Sequence, residues 1–220
     1  MGKSMDGIWN EIHKERIWGG YPSEHIIRFV ARNYYAEKRD QVKILDFGCG
    51  GGNHTWYLAR EGFDTYAFDG SPYAVENTRK KLEKEGLHAD IRVLDGLNME
   101  YKEEFFDAVI DNVCIYANTL KNIEAMYGNV YRILKKGGRL ATVCFGKETY
   151  GCGMGREIED GTYTDIPDGP LHDRGVTHFY GKEDLEDILT EVGFKDIIVE
   201  VILYTDNGKT VQQYVAQATK

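Results

Sequence analysis

This 220-residue sequence has little proline or cysteine, no long apolar run and no excess of positive charge. No segment approaches the roughly 18 consecutive apolar residues that span a bilayer, and the first residues lack the apolar stretch of a secretory signal. Acidic residues outnumber basic ones by 36 to 27, which gives a net charge of -9 and disfavours overall attraction to nucleic acid or anionic lipid. We therefore expect a cytoplasmic protein that binds neither nucleic acid nor membrane.

The cysteines and carboxylates do not form a metal-binding pattern. No Cys-x-x-Cys pair is present, so zinc, iron-sulfur and redox sites are disfavoured, and we expect reduced thiols. A divalent metal would need several converging carboxylates, and only Asp111 beside Asn112 resembles such a group. We predict no bound metal.

Strand-like and helix-like segments alternate along most of the chain. Five short apolar runs are separated by segments with helical periodicity: VKILDF, DTYAFD, IRVLD, FDAVIDNV and RLATVCFG. This alternation predicts a Rossmann-like, doubly wound, mostly parallel α/β sheet. Two later runs, KDIIVEVILYT and TVQQYVAQATK, flank the turn DNG and predict a C-terminal antiparallel hairpin, which completes a seven-stranded sheet.

The chain length favours a single domain, which we divide into four parts. Unstructured loops longer than about 12–15 residues are usually functional or disordered, and the segment between the fifth strand and the next helix is about twice that length. We therefore expect a substrate lid there. A helix from Ser23 to Glu37 is expected in the first part. The parts are a helical cap (1–40), a cofactor-binding core (41–145), the lid (146–180) and a C-terminal helix with the hairpin (181–220).

A glycine-rich turn follows the first predicted strand. Asp46 ends that strand, and Gly48, Gly50 and Gly52 alternate along the turn, which allows a ligand to approach the backbone closely. Asp69 ends the second strand, where a carboxylate can accept hydrogen bonds from both hydroxyls of a ribose. The pattern predicts a nucleoside-binding site.

A third acid, Asp95, ends the third strand, so all three acids project from one edge of the sheet, where ligands of open α/β sheets bind. The alternative for Asp95 is a solvated loop acid. A dinucleotide fingerprint needs a third glycine where this chain has Asn53, and Asp46 beside a diphosphate would be unfavourable. The acids instead favour a nucleoside that carries positive charge.

These segments resemble the motifs of class I S-adenosylmethionine-dependent methyltransferases. ILDFGCGGG resembles the first motif, AFDGS the second, VLDGL the third, FDAVIDNV the fourth, and LKKGGRLATV the stretch before the fifth strand. The resemblance covers residues 19–220 and depends on the order and spacing of the five motifs. It implies a small-molecule methyltransferase that uses S-adenosylmethionine and releases S-adenosylhomocysteine.

The resemblance also assigns residues to the cofactor. The first motif would hold the methionine end, the second the ribose, the third the adenine, and the fourth would lie beside the methionine moiety. Trp18 and Tyr21 would cover the cofactor, and packing on the core is an equally good interpretation of both. Gly70 and Ser71 suit a turn and a helix cap better than a cofactor contact. His54 faces either the cofactor carboxylate or solvent. The candidate cofactor-binding residues are Trp18, Tyr21, Asp46, Gly48, Gly50, Gly52, His54, Asp69, Gly70, Ser71, Asp95, Gly96, Leu97, Asp111 and Asn112.

Methyl transfer needs alignment of the reacting atoms and exclusion of water. A hydroxyl acceptor would benefit from a histidine base, whereas an amine or thiolate needs none. The lid sequence LHDRGVTHFYG offers His172 and His178 as candidate bases. Arg174, Tyr116 and Tyr180 are candidate substrate-binding residues. The alternative for His178 is that it docks the lid on the core.

Two other function classes remain open from the sequence. One is a protein that binds S-adenosylmethionine or S-adenosylhomocysteine without catalysis, and the other is an NAD-dependent oxidoreductase, which Asn53 and the terminal hairpin disfavour. We expect the partner to be a small-molecule methyl acceptor with a hydroxyl, amine or thiol. We also expect a monomer or a homodimer.

Overall fold

A twisted sheet of seven strands forms the centre of the molecule. The structure, a computed structural model, describes residues 4–15 and 20–220. The sheet order is β3-β2-β1-β4-β5-β10-β9, in the labels given below. The elements are α1 (Gly7–Glu15), α2 (Glu24–Tyr34), β1 (Lys43–Phe47), α3 (Asn53–Arg60), β2 (Asp64–Asp69), α4 (Pro72–Glu83), β3 (Asp90–Val93), β4 (Phe106–Asn112), α5 (Leu120–Ile133), β5 (Leu134–Phe145), β6 (Arg156–Glu159), β7 (Thr162–Thr164), β8 (Thr177–His178), α6 (Lys182–Val192), β9 (Lys195–Asp206) and β10 (Lys209–Thr219).

The direction of the strands confirms the predicted fold class. β1 to β5 pair in parallel, whereas β10 is antiparallel to both β5 and β9. The hairpin turn places Asn207 and Gly208 at φ values of 48° and 77°, the left-handed region that a tight two-residue turn requires. The protein therefore has a Rossmann-like, mostly parallel sheet with a C-terminal antiparallel hairpin.

Helices cover both faces of the sheet, so the central strands are apolar on both sides. On β1, Ile44 packs in a cluster with α2 and α3, whereas Leu45 points to the opposite face and packs in a cluster with α5 and α6. Both side chains are fully buried. None of the described helices is long and apolar enough to cross a membrane.

The N-terminal helix predicted from Ser23 to Glu37 is present but shorter. α2 begins at Glu24 after Ser23, whose side chain makes no capping hydrogen bond, and it ends at Tyr34. The Tyr34 hydroxyl donates to the Asp107 carbonyl at 3.0 Å, which ties the end of the helix to the edge of β4.

The segment between β5 and α6 is more ordered than a simple loop. β6, β7 and β8 form a small antiparallel sheet. Its far end returns to the main sheet, since the Tyr180 N–H donates to the Phe145 carbonyl at 2.9 Å and the Lys147 N–H donates to the Tyr180 carbonyl at 3.0 Å. The segment is therefore anchored at both ends beside the carboxyl end of β5.

Candidate active site

A cavity of about 320 Å³ opens at the carboxyl ends of β1, β2 and β4. Its walls are the turns after these strands, its roof is α1, and residues Pro170, Leu171 and Arg174 close one side. This is the edge at which the sequence predicted a ligand. The predicted site residues that line the cavity are Gly48, Gly50, His54, Asp69, Gly70, Asp95, Gly96, Asn112, Tyr116 and Arg174.

The glycine turn forms the floor of the cavity. Gly48, Gly50 and Gly52 have φ values of 67°, 51° and 74°, which L-residues with side chains rarely adopt. A β-carbon at Gly48 would overlap the sulfur of Cys114, and one at Gly52 would lie 2.6 Å from the side chain of Thr78. Gly52 does not line the cavity, because it packs beneath α4 at the start of α3.

Asp69 lies on the cavity wall and its orientation is set by the backbone. Its Oδ2 accepts the Gly50 N–H at 2.9 Å, and its Oδ1 accepts the Ser71 N–H at 2.8 Å. Burial raises the pKa of this carboxyl, and the backbone hydrogen bonds act in the opposite direction. Each oxygen has a further lone pair for a ligand hydroxyl.

Ser71 caps α4 and does not line the cavity. Its Oγ accepts the Ala74 N–H at 3.4 Å and its hydroxyl donates to Asn10 Oδ1 at 3.0 Å. Ser71 is therefore a helix cap, which is the alternative to a cofactor contact that the sequence left open.

Two of the predicted acids lie beneath the cavity and not on its wall. Asp46 is 1% exposed and accepts the Thr55 hydroxyl at 2.6 Å. Asp111 is fully buried and accepts the Thr142 hydroxyl at 2.6 Å, together with two backbone N–H groups of the following turn. Burial raises the pKa of Asp46 to about 7 and that of Asp111 to about 6. Neither carboxyl lines the cavity, so neither is placed for the direct ligand contact that the sequence suggested.

Asp95 lies at the far end of the cavity and is already hydrogen-bonded. It accepts the Ser4 N–H and the Ser4 hydroxyl, each at 2.7 Å, and the Leu97 N–H at 2.9 Å. Leu97 contributes that N–H, and its side chain packs against the core away from the cavity. Next to Asp95, an apolar slot suits a planar base and is formed by Phe47, Phe68, Leu94, Gly96 and Met126.

The predicted histidines are held by protein partners or lie away from the cavity. His54 lines the cavity, but its Nε2 accepts the Ser23 N–H at 3.0 Å, and burial lowers its pKa to about 4, so it is neutral. His178 is buried in β8, where its Nδ1 shares a 2.7 Å hydrogen bond with the Thr162 hydroxyl. It does not line the cavity. His172 is half-exposed and borders a separate depression between α1 and the lid.

The predicted aromatic residues occupy different environments. Tyr116 lines the cavity, and burial raises its pKa. Tyr180 is fully buried in the core, where it packs edge-on against the His178 ring at 4.5 Å, so it cannot form the cavity wall. Tyr21 is 83% exposed and does not cover the cavity. Trp18 lies outside the described residues.

Several lining residues were not predicted from the sequence. The roof carries Ser4, Met5, Trp9 and His13, and the part of the cavity farthest from Asp95 is lined by Val113, Cys114, Ala117, Asn118 and Phe145. The one local signal was the aromatic pair Trp9 and His13, spaced four residues apart on a helix. Among the described lining residues from Asn112 to Arg174, the polar groups are amides, a thiol, a phenol and a guanidinium, with no carboxylate or imidazole.

Comparison with known sequences supports the motifs. Residues 44–138 match a family model described as a methyltransferase domain. An uncharacterized methyltransferase of Synechocystis is 31% identical over 105 residues, which cover 46% of this chain and 46% of the relative. The chain spans about half the length of the curated relatives that it matches.

Two solved structures have the same fold. A SAM-dependent methyltransferase of Methanosarcina mazei has a TM-score of 0.71 at 21% identity, over 91% of this chain and 98% of that chain. Phosphoethanolamine N-methyltransferase 2 of Haemonchus contortus, solved with phosphomonomethylethanolamine and S-adenosylhomocysteine, has a TM-score of 0.69 at 18% identity, over 97% and 57%. The motifs, the family-model match and the fold identify residues 44–138 as a methyltransferase domain of the class I S-adenosylmethionine-dependent kind.

Proposed function

We propose that the protein transfers a methyl group from S-adenosylmethionine to a small-molecule acceptor. The observation that carries the proposal is the position of Asp69, oriented by two backbone N–H groups at the edge of a cavity with a glycine floor and an apolar slot. This arrangement suits a nucleoside with a ribose diol. When bound, S-adenosylmethionine supplies the electrophilic methyl group, and S-adenosylhomocysteine is the product.

The charges near the floor favour a cationic ligand. Asp46 and Asp111 lie beneath the cavity and Asp69 lies on its wall, and each of these carboxyls has a raised pKa. A ligand that brings an ammonium and a sulfonium would stabilise their ionised forms, whereas a diphosphate would oppose them. This argues against a nicotinamide dinucleotide.

The cavity also has room for an acceptor. It continues beyond Asn112 to Tyr116, Asn118 and Leu171, a space that a protein acting only as a cofactor sensor would not need. We infer that segment 146–180 covers this side as a lid of a single catalytic domain. Arg174 borders the cavity where it would attract an anionic group of the acceptor.

Positioning is the main contribution of these residues to catalysis. The acceptor's lone pair attacks the methyl carbon, and the carbon-sulfur bond breaks with its electron pair moving to sulfur. Any acceptor proton is lost to solvent when the methylated product leaves the site. The Asn112 and Asn118 amides can hydrogen-bond an acceptor, while Phe145 and Leu171 exclude water. Because His178 is bonded to Thr162 away from the cavity, an amine or thiolate acceptor is favoured over a hydroxyl.

Calorimetric titration with S-adenosylmethionine, S-adenosylhomocysteine and NAD tests the proposal. We expect the first two to bind and NAD not to bind. Asp69→Asn should weaken binding at least about tenfold, since it removes a charge-assisted hydrogen bond to the ribose. Asp196→Asn, which changes an exposed acid on β9, is the matched control and should bind like the wild type. Binding of NAD alone, or full affinity in Asp69→Asn, would contradict the proposal.

A screen of small amines, thiols and hydroxyl compounds would follow, with S-adenosylhomocysteine release as the readout. Turnover with any of these classes, dependent on Asp69, would establish methyl transfer. A protein that binds the cofactor but turns over none of them would favour the sensor alternative.

A further inference from the structure

The turn after β4 contains a strained residue at the cavity. Val113 has a φ of 56°, in the left-handed region, where the β-carbon of an L-residue lies too close to the next carbonyl oxygen. The other described non-glycine residues with positive φ are acidic residues and an asparagine, and aspartate and asparagine tolerate this conformation better than most residues. A β-branched side chain is an outlier there, and strain of this kind is concentrated at functional sites.

Hydrogen bonds on both sides of Val113 hold the strained conformation. The Val113 N–H donates to the Val143 carbonyl at 3.0 Å, which continues the pairing of β4 with β5. Beyond it, the Cys114 and Ile115 N–H groups donate to Asp111 Oδ1 at 2.9 and 3.2 Å. Asp111 is fully buried and is itself fixed, because its Oδ2 accepts a buried threonine hydroxyl of β5 at 2.6 Å. The turn is therefore held at both of its ends.

The side chain of Val113 makes contacts that a glycine would lack. It packs against the hydrophobic clusters on both faces of the sheet and lines the cavity. A residue needed only to reverse the chain would be glycine, which adopts a positive φ without strain, as Gly48 and Gly50 do in the neighbouring turn after β1. Valine is stiff as well as bulky. It therefore costs stability here and leaves the turn fewer conformations than glycine would.

This turn lies where the cofactor part of the cavity meets the acceptor part. Residues 112–118 supply six of the lining residues, from Asn112 at the end of β4 to Asn118. The Cys114 sulfur occupies the place that a β-carbon on Gly48 would take, so the turn packs directly on the glycine turn. Burial raises the pKa of the Cys114 thiol, so the thiol stays protonated and does not act as a base. The turn can contribute to the reaction only through its position.

We propose that Val113 is a positioning residue for methyl transfer, whose strained backbone holds Asn112 and Cys114 at the junction of the cofactor and the methyl acceptor. This inference rests on the proposed function. Displacing an aligned group by about 1 Å can slow an enzyme about 100-fold. Because Val113 acts through neighbours that shape the acceptor side, its loss should affect the transfer step more than the affinity for the cofactor.

The test replaces Val113 by residues that differ in backbone freedom and in shape. Val113→Gly relieves the strain but frees the turn, so kcat should fall about 10- to 100-fold while affinity for S-adenosylhomocysteine changes less than about threefold. Val113→Thr keeps the β-branched shape and the stiffness, and it should recover most of kcat. Glu104→Gly is the matched control, because Glu104 also has a positive φ, of 51°, but is exposed and does not line the cavity.

Turnover is measured on the full chain with S-adenosylmethionine and three small acceptors: β-alanine, mercaptoacetate and para-hydroxybenzoate. They offer an amine, a thiol and a hydroxyl, and each carries a carboxylate that Arg174 at the cavity would attract. Calorimetry with S-adenosylhomocysteine gives the affinity and counts the folded sites, so kcat is expressed per binding site. A merely structural role would lower the number of sites or the melting temperature and leave kcat per site unchanged.

The outcomes separate this inference from the proposed function. If the folded wild type binds no S-adenosylhomocysteine, or binds it but methylates neither these acceptors nor any other compound of the screen, the proposed function fails and the positioning role fails with it. If the wild type turns over and Val113→Gly keeps the wild-type kcat per site, only the role of Val113 is overturned. A loss in Val113→Gly that Val113→Thr does not recover overturns it too. Equal losses of cofactor affinity and kcat would place Val113 in the cofactor site, which also contradicts the inference.

Discussion

Cofactor affinity should increase with pH, and Asp46 should be a principal cause. This carboxyl lies beneath the glycine turn, where burial raises its pKa to about 7 and the neighbouring Asp69 and Asp111 add to the effect. An ammonium and a sulfonium bound above the turn would stabilise the ionised form. Binding should therefore release a proton, and affinity should rise as the pH increases through about 7.

The size of the effect follows from the ionised fraction of Asp46. If the bound ligand returns the pKa to its ordinary value near 4, the binding constant is proportional to the fraction of free protein in which Asp46 is ionised. From about pH 5.5 to about pH 8 that fraction increases about 30-fold, or about 2 kcal/mol. Asp46→Asn, which keeps the shape and removes the titration, should lose most of this dependence.

Calorimetry with S-adenosylmethionine at both pH values, in buffers of different ionisation enthalpy, measures affinity and proton release together. S-adenosylhomocysteine lacks the sulfonium charge and should show a smaller dependence. Asp40→Asn, a change at an exposed acid, is the control. The reasoning is refuted if Asp46→Asn retains the wild-type pH dependence, or if the wild type binds more weakly at the higher pH.

Two further predictions concern the glycine turn and the lid. Gly52→Ala should destabilise the protein by about 2–5 kcal/mol in denaturant unfolding, because φ is positive there and the new methyl group would clash with Thr78. Gly62→Ala shares the positive φ but meets no neighbour, so it should cost only about 1–2 kcal/mol, and an equal loss at both sites would exclude the clash. His178→Gln should lower stability by about 1 kcal/mol through its bond to Thr162 and leave the pH profile of kcat unchanged. Loss of the acidic limb in that profile, where kcat falls because a base becomes protonated, would restore His178 as the base.

The sheet and the place of Asp69 on the cavity wall could be predicted because their signals are local. Strands that are buried on both faces appear in the sequence as continuous apolar runs, and the DNG turn between two such runs predicts a hairpin. Asp69 follows directly from its place at the end of β2. The order of the strands, β3-β2-β1-β4-β5-β10-β9, was not predicted, because periodicity does not show which strands are neighbours.

The positions of Asp46 and Asp111 could not be predicted from their place at strand ends. Side chains alternate across a strand, so Asp46 points to the face opposite Phe47. Phe47 lines the cavity, and Asp46 therefore faces α3 and the Thr55 hydroxyl. The sequence shows that an acid ends the strand, but which face carries the ligand depends on how the helices pack.

The roof was missed because α1 has little local signal. The helix has 9 residues, lies before the recognised motifs in the chain and has only a few apolar side chains. An isolated helix of this length is marginal in water, so its stability comes from tertiary contacts. Those contacts, to Ser71 and Asn77 on the α4 side, join residues about 60 positions apart in the chain.

The histidines show why residue type alone misleads. Sequence reasoning selected His178 and His172 because imidazole is the common base, and it found no role for His13. In the structure one ring nitrogen of His54 and one of His178 have protein partners, whereas His13 Nδ1 is buried with none among the described residues. A side chain whose hydrogen bonds are satisfied internally stabilises the fold, whereas one left unsatisfied at a cavity needs a ligand or water to complete it. Hydrogen-bond satisfaction is revealed only by the packed chain, so residue type alone could not rank these histidines.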